Sequence, residues 1–207
     1  MFKRRTPKTW IRWFWHFVWP AGGWNRAFEY IKYRLKRLPD SPKRIAMGIS
    51  AGVFASFTPF YGLHFIIAII IAKLIKGNIL AALSGTFFGN PLTYVPIGII
   101  SLKMGHFIMG TNQPTSDQTI EIFTGAWNDF GDNLVALLLN EPTTWERSVI
   151  FLNQIFTPYL VGCIVPGLLV SLLSYYLCFP LILAFKNRRK NAIFRKLSKY
   201  RTRNVDR

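Results

Sequence analysis

The sequence predicts an all-α integral membrane protein, and three observations carry that expectation. Three apolar segments, Ile45–Ala72, Ile79–Gly110 and Ile155–Phe185, each exceed the roughly 20 residues needed to span a bilayer. The first two are interrupted by a proline that follows a helix-capping residue, in AGVFASFTPFYGLHF and SGTFFGNPLTYVPIG. The charges are segregated: of 26 Lys and Arg, twelve fall in residues 1–44 and ten in 186–207, whereas six of the nine acids lie between Asp117 and Glu146. Basic ends around an acidic middle are expected of a multi-pass protein whose termini are both cytoplasmic. Three regions follow. Residues 1–44 form a basic, aromatic, cytoplasmic or interfacial region. Residues 45–185 form the membrane domain, with 111–150 as its acidic extracytoplasmic part. Residues 186–207 form a basic cytoplasmic tail.

Composition removes several function classes. A net charge of +17 raises nucleic acid as a partner, but the basic residues flank apolar segments and leave no soluble basic face for it. No nucleic-acid partner is expected; membrane lipid is. Cys163 and Cys178 lie inside the third apolar segment and read as small buried apolar residues, not as a disulfide or metal pair. No zinc spacing, phosphate-binding loop, dinucleotide fingerprint or nucleophile elbow occurs. No metal and no cofactor are expected. The apolar segments contain no Asp or Glu, so they lack the acid–base pair that intramembrane catalysis would use, and no catalytic residue is assigned.

Along the chain, Trp10, Trp13, Phe14 and Phe17 recur at helical spacing with Arg12 off the stripe. That pattern suits an amphipathic helix lying in the membrane interface. Arg12 and the bulky aromatic core argue against a cleaved signal peptide. Residues 25–44 continue as a basic helix that stops at Leu38–Pro39; Asp40 and Ser41 start a turn, and a new helix begins near Pro42. Without gaps and at an offset of 33, Gly48, Gly52 and Ser56 fall on Ala81, Gly85 and Gly89, Phe54 on Phe87, and Tyr61 on Tyr94. Each half therefore presents a face of small residues that allows close helix approach, and the pair reads as a pseudo-repeat. An amphipathic run from about Ser116 to Leu139 is expected on the outer surface. The third segment carries Pro158, Pro166 and Pro180.

Two cytoplasmic termini require an even number of crossings, but three apolar segments are odd. One of the first two must therefore re-enter, or both must split into unequal pieces. Lys73 and Lys76 favour the first as the one that dips in and returns, with the mirror arrangement as its rival. Within the breaks, Thr58–Pro59 and Asn90–Pro91 share one logic. Thr and Asn are good N-caps and proline suits the first helical position, so each pair signals a new half-helix inside the membrane. Free first-turn N–H groups there attract anions, as in transporters with discontinuous helices. The candidate ligand-binding residues are Thr58, Tyr61, His64, Asn90, Thr93 and Tyr94. Gly48, Gly52, Pro59, Gly62, Gly85, Gly89, Pro91 and Pro96 are assigned to breaks and packing. The competing reading is structural: Thr58 and Asn90 merely cap kinks, and His64 is a hydrogen-bonded packing residue. Lys103 and His106 read as snorkelling towards headgroups.

The stretch from Ser41 to Gly98 resembles the bacterial membrane-protein domain of unknown function 2062 (DUF2062). The resemblance rests on Pro42, Gly48, Gly52, Phe54, Thr58, Pro59, Gly62, His64, Asn78, Gly85, Thr86, Asn90, Pro91, Thr93 and Pro96. It extends over about Ser41–Phe185. It implies a polytopic protein of the bacterial cytoplasmic membrane with no established activity. Some relatives carry a fused glycosyltransferase domain, which hints at envelope polysaccharide or lipid-linked sugar synthesis. The expected function is a small transporter, flippase-like or channel-like, for an anionic or polar-headed molecule such as a lipid phosphate. The alternative is a non-transporting scaffold for an envelope-synthesis enzyme. A homo-oligomer is expected, because three segments rarely enclose a pathway alone.

Overall fold

The computed structural model describes Glu29 and residues 40–205, apart from the side chains of residue 193 and of those after 195. The aromatic helix expected near the N terminus, and most of the basic helix after it, lie outside the described residues. The described residues contain helices and no strand.

Helix α1 (Pro42–Phe57) begins where expected, with Ser41 accepting a hydrogen bond from the Arg44 N–H and Pro42 in the first turn. After a turn at residues 58–63 the chain returns as α2 (His64–Leu74). Lys76 takes a left-handed conformation at the next corner, with φ 57°. Asn78 then caps α3 (Ile79–Gly85) through its side-chain oxygen, and a 3-10 turn at Thr86–Phe88 ends that piece. Helix α4 (Pro91–Met109) follows, stopped by Gly110 at φ 65°. Helix α5 (Ser116–Leu139) occupies the amphipathic run found in the sequence, entered through a reciprocal Thr115–Gln118 cap.

From Glu146 one helical run continues to Val205, and its first 47 residues, as far as Ala192, hold an apolar stretch of spanning length. Its pieces are α6 (Glu146–Phe151), a π turn at Leu152–Phe156, α7 (Thr157–Gly162) and α8 (Ile164–Val205). The π turn has a cause. Pro158 has no N–H and its ring would strike the carbonyl one turn earlier, so the turn before it widens. The run also continues past Phe185, where the apolar sequence ends and the basic tail was placed.

Two helices, Pro91–Met109 and the Glu146–Ala192 run, are long and apolar enough to cross a membrane. The first apolar segment supplies none. Helix α1, 16 residues, is about 24 Å long, and α2, 11 residues, is about 16 Å; hydrocarbon is about 30 Å thick. The three long segments of the sequence thus become two helices of spanning length and one hairpin.

Helix α1 is the centre of the packing, touched by α2, α3 and α8. Its contact with α3 is parallel and keeps the offset of 33. A Cβ on Gly48 would overlap the Asn78 carbonyl oxygen and lie 2.9 Å from the Ala81 Cβ; one on Gly52 would overlap the Ala82 carbonyl and lie 2.8 Å from Gly85 Cα. Gly85 reciprocates against the Ile49 backbone. Helix α2 packs back on α1 through Ala68 and Ala72 against Ala51 and Ala55. Helix α8 runs antiparallel on α1: Gly167 lies beside Phe54 and Phe57, and the Ser50 hydroxyl donates to the Ser171 carbonyl at 2.9 Å. Helices α4 and α7 cross as closely, since a Cβ on Gly105 would meet the Pro158 carbonyl and one on Gly162 the Ser101 carbonyl. Large apolar side chains point outward instead: Leu92 is 73% and Phe107 83% exposed. Small residues inside and large ones outside suit lipid as the solvent, where close backbone contact drives association.

A polar clasp closes one end of this core. Asp40 pairs with Arg44 at 2.6 Å and accepts from the Asn78 amide, while its carbonyl accepts from Lys186 on α8. Arg44 also donates to the Lys76 carbonyl at 3.2 Å. At the other end, Asp129 accepts from the Ser148 N–H at 2.9 Å, and the Asn133 side chain bonds both ways to the Thr144 backbone. These bonds fold α5 onto α6.

Gly52→Ala should therefore cost about 1–3 kcal/mol by overpacking and lower the melting temperature of the detergent-purified protein. Gly131→Ala, which meets open space, should leave it unchanged or slightly raised. Equal melting temperatures for the two variants would contradict the contact.

Candidate functional site

The two breaks are built differently. Asn90 does what its sequence promises. Its side-chain oxygen accepts from the Leu92 and Thr93 N–H groups at 3.0 and 3.1 Å, and the Thr93 hydroxyl oxygen accepts from the Asn90 N–H at 2.9 Å. Pro91 has no N–H to offer, and the Tyr94 N–H is taken by the Asn90 carbonyl at 2.9 Å. The Thr93 hydroxyl donates to the Phe88 carbonyl at 2.6 Å. The first turn of α4 therefore has no idle donor, although the positive end of its dipole remains.

Thr58 departs from expectation. It ends α1 instead of starting α2: its N–H and its hydroxyl both donate to the Ala55 carbonyl, the latter at 2.7 Å. Helix α2 starts six residues later at His64, with Leu63 before it and no side-chain cap. The reason is steric. Gly62, at φ 85°, makes a left-handed corner within residues 59–63, so Pro59 opens a turn and not a helix. The His64 ring, nearly buried, accepts the Gly62 N–H on Nδ1 at 3.1 Å and lies against Phe65 with ring centres 4.1 Å apart. The packing reading of His64 is the one these contacts describe.

The parallel register of α1 and α3 brings the breaks side by side. Tyr61 and Tyr94, equivalent positions of the pseudo-repeat, meet edge to face with ring centres 4.9 Å apart. His64 lies edge to face on Tyr94 at 6.4 Å. From the third segment, the Tyr159 hydroxyl reaches the Tyr61 hydroxyl at 3.1 Å. The Ser101 hydroxyl, on α4, is fully buried and has no hydrogen-bond partner. Tyr61 is 54% exposed and Tyr159 7%, so the cluster grades from an exposed residue to a buried one. Gly89 lies under it, where a Cβ would press on the Tyr94 hydroxyl at 2.8 Å.

Of the expected ligand-binding residues, Tyr61, His64 and Tyr94 are brought together. Asn90 and Thr93 form the adjoining cap, and Thr58 closes the end of α1. Tyr159 and Ser101 escaped the sequence reading. The signal for Tyr159 was present, a tyrosine among prolines and glycines in FTPYLVG; nothing in the sequence marked Ser101. His106 is corrected as well. It is buried, not snorkelling, and its Nδ1 bonds the Thr111 hydroxyl at 2.7 Å. Cys163 is buried and Cys178 half-buried, and both are free thiols. No group of three or more His, Cys, Asp or Glu side chains that could hold a metal occurs among the described residues.

The described residues form a helical protein in which two helices are long and apolar enough to cross a membrane, a feature consistent with membrane association. The chain belongs to the family described as an uncharacterized protein conserved in bacteria (DUF2062), whose match covers residues 25–191. Comparison with curated proteins and with solved structures finds no match.

Asn90→Ala should cost about 1 kcal/mol through loss of the cap, and Asn90→Ser should recover most of it. The melting temperatures of the two variants check this; equal losses would show that the side chain does not cap α4.

Proposed function

We propose that this protein is a small bacterial inner-membrane transporter of the flippase-like or channel-like kind, acting on a polar-headed or anionic molecule such as a lipid phosphate. The observation that carries the reading is the meeting of the two breaks, where Tyr61, Tyr94 and Tyr159 present hydroxyls beside His64 within an apolar surround. Water is scarce at such a depth and unpaired polar groups there are costly, so a cluster of hydroxyls reached through an exposed Tyr61 would be a place for a guest. The tyrosine hydroxyls would donate to the headgroup, and the dipole of α4 would favour negative charge. The capped N–H groups of α4 would support the site without touching the cargo.

In the topology we propose, α1 and α2 form a hairpin that enters from the cytoplasm and returns. Helix α3 runs parallel to α1, α4 continues outward, and the α6–α8 run crosses back. The clasp supports this arrangement: Asp40, Arg44, Lys76, Asn78 and Lys186 share one end, together with the basic residues of α8. The acidic α5 then stands outside. A homo-oligomer is part of the proposal, since the exposed apolar faces of α4 and α8 leave room for other copies.

Lipids that co-purify with the wild type and with a Tyr61→Phe/Tyr159→Phe double variant, identified by mass spectrometry, test the proposal. Enrichment of one phosphate-bearing lipid on the wild type, reduced about tenfold in the variant, is the expected result. Identical lipid profiles, with an envelope-synthesis enzyme retained on both proteins, would replace it by the scaffold reading.

A further inference from the structure

A second polar site stands apart from the breaks. The end of α4, the 110–115 loop, the first turns of α5 and the π turn border an open cleft of about 460 Å³. Its wall is rich in amides: Asn112 and Gln113 from the loop, Gln118 from α5, and Asn153 and Gln154 from the π turn. Gln118 is used in the cap of α5. The other four amides are exposed and bond to no other side chain among the described residues. Glu121 supplies a carboxylate, and His106 forms another part of the wall.

His106 is the informative residue. It is 5% exposed, its Nδ1 is held by Thr111, and its Nε2 is buried without a partner. An orphaned buried nitrogen is costly, and a ligand hydroxyl or a bound water reaching it would relieve that cost. The π turn is the second observation. Pro158 explains why the helix widens, but not why the widened turn carries two adjacent amides in an otherwise apolar run; π turns recur at functional sites.

We infer that this cleft binds a neutral, hydroxyl-rich group, either a sugar in solution or the sugar headgroup of a lipid. Amides both donate and accept, which matches hydroxyls that do the same. The carboxylate of Glu121 would accept from two of them. An anion would face Glu121 with no Lys or Arg in the wall, and a metal ion would find a single carboxylate. The inference does not rest on the transport proposal, because none of these residues belongs to the tyrosine cluster.

The test uses the full chain in phosphatidylcholine nanodiscs, with methyl glucoside, a monoglucosyl diacylglycerol and inorganic phosphate as probes. Binding is read by thermophoresis for the wild type, Asn153→Leu, Gln154→Leu and Tyr61→Phe. The expected result is binding of the glucosyl lipid, or of both sugar probes, weakened about tenfold by each of the π-turn variants and unchanged by Tyr61→Phe. Binding of the lipid alone assigns a membrane-borne headgroup, and binding of both assigns the sugar itself. Asn153 and Gln154 are exposed, so the fold should survive these changes, and a melting curve checks that it does. Failure of both sugar probes, binding unmoved by both π-turn variants, or tighter binding of phosphate would overturn the inference.

Discussion

The contact between the small faces of α1 and α3 is the constraint on which the rest of the structure depends. Gly48 and Gly52 lie so close to the backbone of residues 78–85 that no Cβ fits. Dispersion between such closely approaching backbones holds the pair together, and it would have to do so alone in lipid, where helix association brings no hydrophobic gain. Larger residues at these positions would push the helices apart and lose those contacts. Because the contact is parallel and keeps one register, it also fixes where each segment breaks relative to the other. Tyr61 meets Tyr94 for that reason, not because either residue seeks the other.

Polar groups in this core are satisfied close to home. Asn90, Thr93, Thr58 and Ser56 bond to backbone within a turn or to the neighbouring helix. The same economy holds in the clasp at Asp40 and in the Asp129–Asn133 turn, where side chains replace the helix-end partners that water would give in a soluble protein. Two exceptions stand out, the Ser101 hydroxyl and His106 Nε2, both on α4. One adjoins the tyrosine cluster and the other the amide-lined cleft. Helix α4 therefore touches both polar regions.

Much of this was legible in the sequence. The all-helical class, the family, the small-residue faces, the cap at Asn90 and the bounds of α5 follow from residue types at particular spacings. Thr58 misled, since a capping residue before proline reads the same whether a helix starts there or a turn does. Gly62 decides between the two, and its left-handed conformation has no unique sequence mark. Length alone leaves the 28 apolar residues of the first segment as one crossing or a hairpin; Lys73 and Lys76 favour the hairpin, and the alanine contact between α1 and α2 forms it. His106 looked like a snorkelling residue because its spacing from Lys103 fits a surface, whereas the close crossing of Gly105 on Pro158 turns it inward. Partners from the third segment, Tyr159 above all, depend on the α4–α7 crossing and so on contacts far apart in the chain.

Proximity of the two breaks can be measured by oxidative cross-linking in native membranes. Tyr61→Cys and Tyr94→Cys would be combined in a chain whose Cys163 and Cys178 are replaced by alanine. The parallel register of α1 and α3 predicts fast intramolecular disulfide formation for this pair, and none when Tyr61→Cys is paired with Gly131→Cys. Absence of a cross-link between positions 61 and 94, in a protein that is inserted and folded, would contradict the convergence of the two breaks.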